Sequence, residues 1–246
     1  MKIYAHRGYS ALYPENTMLA FKKAVEFHAD GIETDVHKTK DNILVLCHDE
    51  AIDRTSNGTG FIHDMTYEEL AAYDYKFNKT VDEFIPIPKL EELLQLAKDT
   101  GILLNIEIKT DNYQYENIEQ MTYDMVKAYG LLDHTMFSSF HLESLITLRK
   151  IDSSIKVGYL FEPSADLTNQ EVFEKKLEEA LSHGIYQIHP KYVFLDDATL
   201  KSLRKKKIEV NAWTINAKKD MAFFKKNHLD GCITNYVERA IGVVKK

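Results

Sequence analysis

Features that mark several common protein classes are scarce in this sequence. Only two of its 246 residues are cysteines. Cys47 and Cys232 are far apart and flanked by apolar residues, which is typical of buried small hydrophobic side chains and not of a disulfide framework or a metal-thiolate site. No apolar run approaches the length of about 18 residues that a membrane span needs, and the N-terminus lacks the charged and apolar regions of a signal peptide. We therefore expect a soluble, cytoplasmic protein without a stable membrane anchor.

Glycine-rich nucleotide-binding motifs and an excess of positive charge are also absent. The sequence contains neither a GxGxxG nor a Walker-type loop, so it gives no support for nucleotide binding. The formal net charge is −7, from 31 basic and 38 acidic residues. This balance argues against a general nucleic-acid binder, which needs a basic face. A phosphate ligand would have to be held by a local positive site, because the overall field does not attract it.

Short apolar runs alternate with amphipathic stretches along almost the whole chain. They make eight strand–helix units, and an additional apolar run at 43–47 is attached to the second unit. Alternating β and α units imply a parallel sheet, and eight of them in a chain of this length fit one (β/α)8 TIM barrel, a single domain over residues 1–246. A doubly wound open sheet is the alternative. Residues 49–86 interrupt the alternation, and we interpret them as a small insertion after the second strand.

Acidic side chains occupy one face of each of two predicted strands. Successive strand residues point to opposite sides, so Glu33 and Asp35 share one face of the second strand. By the same rule Glu107 and Lys109 share one face of the strand that begins near residue 102. Isolated buried carboxylates are energetically costly or become neutral, so three of them need an explanation.

Spacing alone leaves two interpretations of these three carboxylates open. They can hold a divalent cation, and all-oxygen, carboxylate-rich ligation suits Mg²⁺ or Ca²⁺. They can equally form a buried ionic network with basic side chains, for which the candidates are Lys109, Arg7 and Arg54.

Histidine follows an apolar run at two places. His6 and Arg7 come directly after the first strand, and His48 follows the additional apolar run. Arginine presents a planar set of donors that suits phosphate, and histidine exchanges protons near neutral pH. At the strand ends of a barrel, His6 and His48 can face one another across a ligand, one as general base and the other as general acid. We expect His37 at the rim of the barrel, and His189 is a candidate for lining its mouth.

The single tryptophan, Trp213, ends the predicted seventh strand. Its ring can pack against an apolar edge of a substrate. It can equally cap the core of the barrel, and its position in the sequence does not separate the two roles.

Together these stretches resemble the glycerophosphodiester phosphodiesterase family, of the bacterial cytoplasmic type. The similarity spans nearly the whole chain, and the motifs occur in the family's order. One departure lies in the last motif, where the family commonly has Thr-Asp followed by proline and this chain has Thr234-Asn235-Tyr236. The matching motifs are AHRGYSALYPENT (5–17), GIETDVHKTKDN (31–42), LCHDEAIDRTSNGTG (46–60), IPKLEELL (87–94), LNIEIK (104–109), FSSFHLESL (137–145), VNAWTIN (210–216) and, more loosely, DGCITNYVERA (230–240).

This resemblance implies a TIM barrel with a small insertion after the second strand. It also implies hydrolysis of glycerophosphodiesters, such as glycerophosphocholine and glycerophosphoethanolamine, to glycerol 3-phosphate and an alcohol. Glu33, Asp35 and Glu107 match the family's ligands for one divalent cation, Mg²⁺ or Ca²⁺, with Mn²⁺ as a further candidate. Spacing alone left a cation site and a buried ionic network open for these three carboxylates, and the resemblance strongly favours the cation site.

The other roles are carried over residue by residue in the same way. His6 and His48 match the acid–base pair, and we favour His6 as base and His48 as acid. Arg7 and Lys109 match contacts to the phosphate. Trp213 matches part of the wall against the glycerol or the headgroup. Since residues 61–86 match the family only loosely, the headgroup preference is not carried over.

Three other interpretations of the same residues remain as alternatives. The first is a lysophospholipase D-like activity or hydrolysis of glycerophosphate polymer fragments. The second is a catalytically idle barrel that binds phosphodiesters or a protein partner. A glycosidase with paired carboxylates is weaker, because it leaves both histidines and Arg7 without a role. The sequence predicts neither the oligomeric state nor whether water or the substrate's own 2-hydroxyl is the nucleophile.

Overall fold

The computed structural model describes residues 1–76 and 78–245; Phe77, inside the predicted insertion, and Lys246 lie outside this part. The strands are β1 Lys2–His6, β2 Gly31–Lys38, β3 Leu44–Leu46, β4 Leu103–Ile108, β5 Thr135–Ser139, β6 Lys156–Phe161, β7 Gln187–Pro190, β8 Glu209–Ala212 and β9 Gly231–Thr234. The α-helices are α1 Met18–Glu26, α2 Tyr67–Ala71, α3 Leu90–Thr100, α4 Ile118–Ala128, α5 Leu142–Ile151, α6 Asn169–Ser182, α7 Asp197–Lys205, α8 Lys218–Lys226 and α9 Val237–Val244.

Eight of these strands form a closed parallel barrel. Neighbours follow the order β1, β2, β4, β5, β6, β7, β8 and β9, and β9 pairs again with β1. The predicted TIM barrel is therefore confirmed, and the open sheet is wrong because the pairing of β1 with both β2 and β9 closes the ring and leaves none of these eight strands at an edge. The additional apolar run is β3, which pairs antiparallel with the end of β2.

The packing between barrel and helices follows from the apolar faces of the helices. In α3 the residues Leu90, Leu93, Leu94 and Ala97 are buried at helical spacing, and Gly101 ends the helix in the left-handed region at φ 73°. Helix α3 begins at Leu90, two residues after Pro88, whose carbonyl accepts a hydrogen bond from Leu46 N at 3.0 Å.

The predicted insertion has a hydrophobic cluster of its own. It is built on β3 and contains Val45, Cys47, Ile52, Ile62, Leu70, Tyr75, Ile85 and Ile87. This cluster lies apart from the main core and is attached to the barrel where β3 pairs antiparallel with the end of β2. The insertion therefore borders the carboxyl end of β2, where two of the predicted acidic residues lie. Among the described helices, none has both the length and the apolar character to cross a membrane.

Candidate active site

One cavity of about 530 Å³ opens at the carboxyl ends of the barrel strands. It brings together seven of the eight residues predicted for the site, and the eighth, Asp35, lies buried beside Arg7, with its carboxylate 3.7 Å from the Arg7 guanidinium. Active sites of TIM barrels lie at this face, because each βα loop places its side chains there. The predicted residues that line it are His6, Arg7, Glu33, His48, Glu107, Lys109 and Trp213.

Three buried carboxylates meet at the base of this cavity. One oxygen from each of Glu33, Asp35 and Glu107 lies within 4.8 Å of the others. The sheet register explains the grouping, because Asp35 is directly beside Glu107 on neighbouring strands and Glu33 is two residues before Asp35 on the same face. Asp35 Oδ1 is buried and has no hydrogen-bond partner in the described part of the chain. This donor set fits a hard divalent cation.

The charge state of the three carboxylates differs from that of exposed acids. Burial, together with the charges of Asp35 and Glu107, raises the pKa of Glu33 well above its ordinary value. Burial also raises the pKa of Glu107 to about 7, although Lys109 acts in the opposite direction. Burial by itself also raises the pKa of Asp35, but the charges of His48, Arg7 and Lys109 together hold this pKa below the ordinary value. The cluster therefore lacks positive charge for its full ionisation.

Arg7 directs its guanidinium into the site from a strained loop position. Its φ of 56° lies in the left-handed region, and its backbone N–H donates to Glu33 Oε2 at 3.0 Å. The guanidinium donates to Glu15 at 3.0 Å and lies 3.7 Å from Asp35. The next residue must be glycine, because a Cβ at Gly8 would lie 2.8 Å from the backbone of helix α1. Arg7 Nε is buried without a hydrogen-bond partner among the described residues, so it remains a donor for an anion.

Lys109 supplies the second positive charge. Its Nζ donates to Glu107 at 3.0 Å and lies 3.7 Å from Asp111. Burial lowers the pKa of Lys109, but Glu107, Asp35 and Asp111 together raise it above the ordinary value. Lys109 is therefore charged at neutral pH and faces the cavity together with Arg7.

The two histidines line this cavity and have different partners. His6 Nδ1 is hydrogen-bonded to the amide oxygen of Asn235 at 2.6 Å, and its Nε2 lies 3.9 Å from Glu33. Burial and the charge of Arg7 lower the pKa of His6 to about 3. His48 Nδ1 pairs with the carboxylate of Asp49 at 2.5 Å. Burial opposes the charged form of His48, but Asp35 and Asp49 raise its pKa above the ordinary value.

An aromatic pair forms part of the cavity wall. Trp213 Nε1 donates to the carbonyl of His189 at 2.7 Å, which fixes the indole ring. Its ring meets Phe140 edge to face, with centroids 5.6 Å apart, and Leu160 lines the same cavity. This wall offers a substrate an apolar surface beside the charged base.

Two histidines do not lie where the sequence suggested. His37 is fully buried and not at the rim, because β3 pairs across it and Tyr115 covers it with a hydrogen bond of 2.9 Å. His189 is also fully buried below the mouth, where its Nε2 is hydrogen-bonded to Asn211 at 3.0 Å. Both predictions considered only the ends of strands and not the elements that cover them.

Several side chains that hold the site residues were not singled out in the sequence. Asn16, for example, donates to Asp35 Oδ2 at 2.8 Å and accepts from Thr34 at 2.7 Å. The only signal for these side chains is that they lie inside the motifs that carry the resemblance. They are Glu15, Asn16, Asp49 and Asn235. Arg54, which the sequence suggested as a partner of the three carboxylates, instead donates to Asp49 and Glu15.

A TIM barrel with buried carboxylates, two cationic side chains and two histidines at its catalytic face has the arrangement of a phosphoric diester hydrolase. The model of the glycerophosphoryl diester phosphodiesterase family matches residues 6–239. A glycerophosphodiester phosphodiesterase of Caldanaerobacter subterraneus subsp. tengcongensis is 37% identical over 246 residues, covering 99% of this chain and 98% of the relative. One of Bacillus altitudinis is 33% identical and covers 98% and 97%. This chain belongs to the glycerophosphoryl diester phosphodiesterase family, and the family and enzyme class predicted from the sequence are confirmed.

Solved structures have the same fold. A glycerophosphodiester phosphodiesterase of Thermotoga maritima superimposes with a TM-score of 0.75 at 30% identity, covering 98% of this chain and 96% of that chain. An Oleispira antarctica phosphodiesterase in complex with the product sn-glycerol-3-phosphate superimposes with a TM-score of 0.81 at 24% identity, covering 100% and 97%. The fold is thus similar to that of these proteins along nearly their whole length.

Proposed function

We propose that this protein hydrolyses glycerophosphodiesters to glycerol 3-phosphate and an alcohol. The observation that supports this most directly is the meeting of three buried carboxylates, two cationic side chains and two histidines in one cavity. The Oleispira antarctica relative holds the product sn-glycerol-3-phosphate, which agrees with a glycerol phosphate as one half of the substrate. The substrate is a small molecule, in keeping with the size of the cavity.

Glu33, Asp35 and Glu107 would hold one divalent cation, Mg²⁺, Ca²⁺ or Mn²⁺. When bound there, the cation supplies positive charge against the phosphate oxygens and lowers the cost of keeping all three carboxylates ionised. Arg7 binds and orients the phosphate through its fork of donors, and Lys109 adds a second positive charge on the same group. Both act on the charge that develops as the diester is cleaved.

The two histidines move the protons of the reaction. His6, whose Nδ1–H is held by Asn235, accepts a proton at Nε2 from the nucleophile as the new bond to phosphorus forms. His48 donates its Nε2 proton to the leaving oxygen as the old bond breaks. The nucleophile is water or the 2-hydroxyl of the glycerol, and a cyclic phosphate detected during turnover would identify the second route.

The acid–base pair is tested by replacing each histidine with alanine. We expect His6→Ala and His48→Ala each to lower kcat by at least roughly 10²-fold, the typical contribution of general acid–base catalysis. His134→Ala is the matched control, because His134 is exposed. It should retain the activity of the wild type. Near-wild-type turnover in either His6→Ala or His48→Ala would refute the pairing.

Lysophospholipids are a second candidate substrate class, favoured by exposed apolar side chains near the mouth. Leu12 is 56% exposed in the loop after β1, and Tyr113 is 40% exposed in the loop after β4. Such loops lie at the catalytic face of a TIM barrel and can contact an acyl chain. Comparing glycerol 3-phosphate release from glycerophosphocholine with cleavage of lysophosphatidylcholine separates the two classes. A higher kcat/KM for the lysophospholipid would favour lysophospholipids as the substrate class.

A further inference from the structure

A continuous set of ion pairs connects His48 to Arg7 across two different loops. Arg54 Nε donates to Asp49 Oδ2 at 2.6 Å, and a second nitrogen of the same guanidinium donates to Asp49 Oδ1 at 3.2 Å. That guanidinium also donates to both oxygens of Glu15, at 2.7 and 3.1 Å. Glu15 in turn accepts from Arg7. Apart from Arg7 and His48 at its two ends, this chain of contacts has no role in the reaction as proposed so far.

The partner of His48 in this set is an anion, whereas the partner of His6 is a neutral amide. Asp49 Oδ1 lies 2.5 Å from His48 Nδ1, and Asn235 Oδ1 lies 2.6 Å from His6 Nδ1. A carboxylate stabilises an imidazolium far better than an amide oxygen does, since the hydrogen bond then joins two opposite charges. The two histidines are therefore prepared for opposite roles by their Nδ1 partners.

We propose that Asp49 is the positioning residue of His48, and that Arg54, anchored on Glu15, holds the Asp49 carboxylate in place. With Nδ1–H directed at Asp49, the ring presents Nε2–H to the leaving oxygen. No hydrogen bond joins Nε2 of His48 to another residue in the ranges 1–76 and 78–245. This inference rests on the proposed role of His48 as the general acid.

The anchor on Glu15 is needed because Asp49 is partly open to solvent. The side chain of Asp49 is 30% exposed, so the carboxylate has room to turn away from the ring, whereas Glu15 is only 11% exposed. Arg54 donates hydrogen bonds to the carboxylates of both Asp49 and Glu15. Paired donors of a guanidinium fix the orientation of a carboxylate in addition to balancing its charge. Burial by itself raises the pKa of Asp49, but the hydrogen bonds from His48 and Arg54 hold this pKa below its ordinary value.

The step that this arrangement supports is a single proton transfer. As the bond between phosphorus and the leaving oxygen breaks, its electron pair remains on that oxygen. The oxygen takes the proton from His48 Nε2, so the alcohol leaves neutral. His48 is then a neutral imidazole whose remaining proton stays on Nδ1 and is donated in a hydrogen bond to the Asp49 carboxylate.

The test compares two substrates that differ only in the leaving group. Glycerophosphocholine releases an alkoxide that needs a proton, whereas the p-nitrophenyl diester of glycerol 3-phosphate releases a phenolate that does not. We expect Asp49→Asn to lower kcat for glycerophosphocholine on the order of 10²-fold and to leave the p-nitrophenyl diester near the wild-type rate. Arg54→Met should show the same selectivity with a smaller loss, because the carboxylate remains.

Asp53→Asn is the matched control. It makes the same change of charge in the same loop. Asp53 is exposed, and among the described residues its side chain accepts a hydrogen bond only from Gly60 N. It should change neither substrate. Circular dichroism confirms that each variant is folded, and ¹⁵N NMR of His48 gives a readout independent of turnover. In Asp49→Asn we expect the chemical shift of Nδ1 to change, because its anionic partner is lost.

Two results would overturn the proposal. Equal losses on both substrates in Asp49→Asn would reduce Asp49 to a structural role, and the wild-type rate on both would deny it any role. His48→Ala separates these from a failure of the proposed function. If His48→Ala also slows both substrates equally, His48 is not the acid, and the inference falls together with that assignment.

Discussion

Neutralising Glu107 decides whether the buried carboxylates form a cation site or an ionic network. In the cation-free protein, burial raises the pKa of Glu107 from 4.5 to about 7, although Lys109 is 3.0 Å away. The folded state therefore binds a proton that the unfolded state has already lost between pH 4.5 and 7. By linkage the contribution of Glu107 to the free energy of unfolding falls as pH rises through this window, and it stays low above pH 7.

The size of this effect follows from the shift. A difference of 2.5 between the two pKa values of Glu107 corresponds to about 3 kcal/mol at pH 8. In a chain of this length about 3 kcal/mol is a change in Tm of roughly 6–12 °C. Glu107→Gln removes the charge and keeps an oxygen that accepts from Lys109, so the cation-free variant should melt higher than the wild type by about this amount.

Thermal unfolding followed by circular dichroism measures the difference. At pH 8 with chelator, Glu107→Gln should be more stable than the wild type, and near pH 4.5 the two should melt together. Added Mg²⁺ should raise the Tm of the wild type and have little effect on the variant. Glu178→Gln, at an exposed helix position, is the control and should change neither result. A lower Tm for cation-free Glu107→Gln at pH 8 would refute the reasoning and favour a network in which Lys109 stabilises the charged carboxylate.

Three further measurements follow from single residues. Cys47 and Cys232 are buried, and burial raises the pKa of each thiol to about 12. The native protein should therefore not react with a thiol reagent at pH 8, whereas the unfolded chain should react at both positions. Rapid labelling of the native protein would contradict the burial of the two thiols. Trp213 is the single tryptophan and lines the cavity, so glycerol 3-phosphate should change the tryptophan fluorescence in a saturable manner, and no change on saturation would place the ligand elsewhere. Arg7→Lys loses the planar fork, and we expect KM to rise roughly tenfold or more; an unchanged KM would remove Arg7 from phosphate binding.

The strand pattern accounts for the part of the site that was predictable. In β2 and β4 a two-residue period places Glu33, Asp35 and Glu107 on one side, and the alternation of strands and helices brings β2 and β4 together. Local order in the chain therefore contains the information for the three carboxylates. The same is true of His6 and Arg7, which directly follow a buried strand.

The partners of these residues were not predictable, because they come from loops without a period. Glu15 and Arg54 are 39 positions apart and meet only because the loops after β1 and β3 fold over the same cavity. His37 was misplaced for the same reason, since Tyr115 covers it from the loop after β4, 78 positions further along the chain. Local spacing does not encode such contacts.

The most direct test of the central claim is glycerol 3-phosphate release from glycerophosphocholine with and without chelator. We predict that chelator abolishes release, that Mg²⁺, Ca²⁺ or Mn²⁺ restores it in the wild type, and that none of them restores it in Glu107→Gln. Activity that persists after exhaustive chelation, or that Glu107→Gln retains with an unchanged response to the cation, would contradict a hydrolytic site built on Glu33, Asp35 and Glu107.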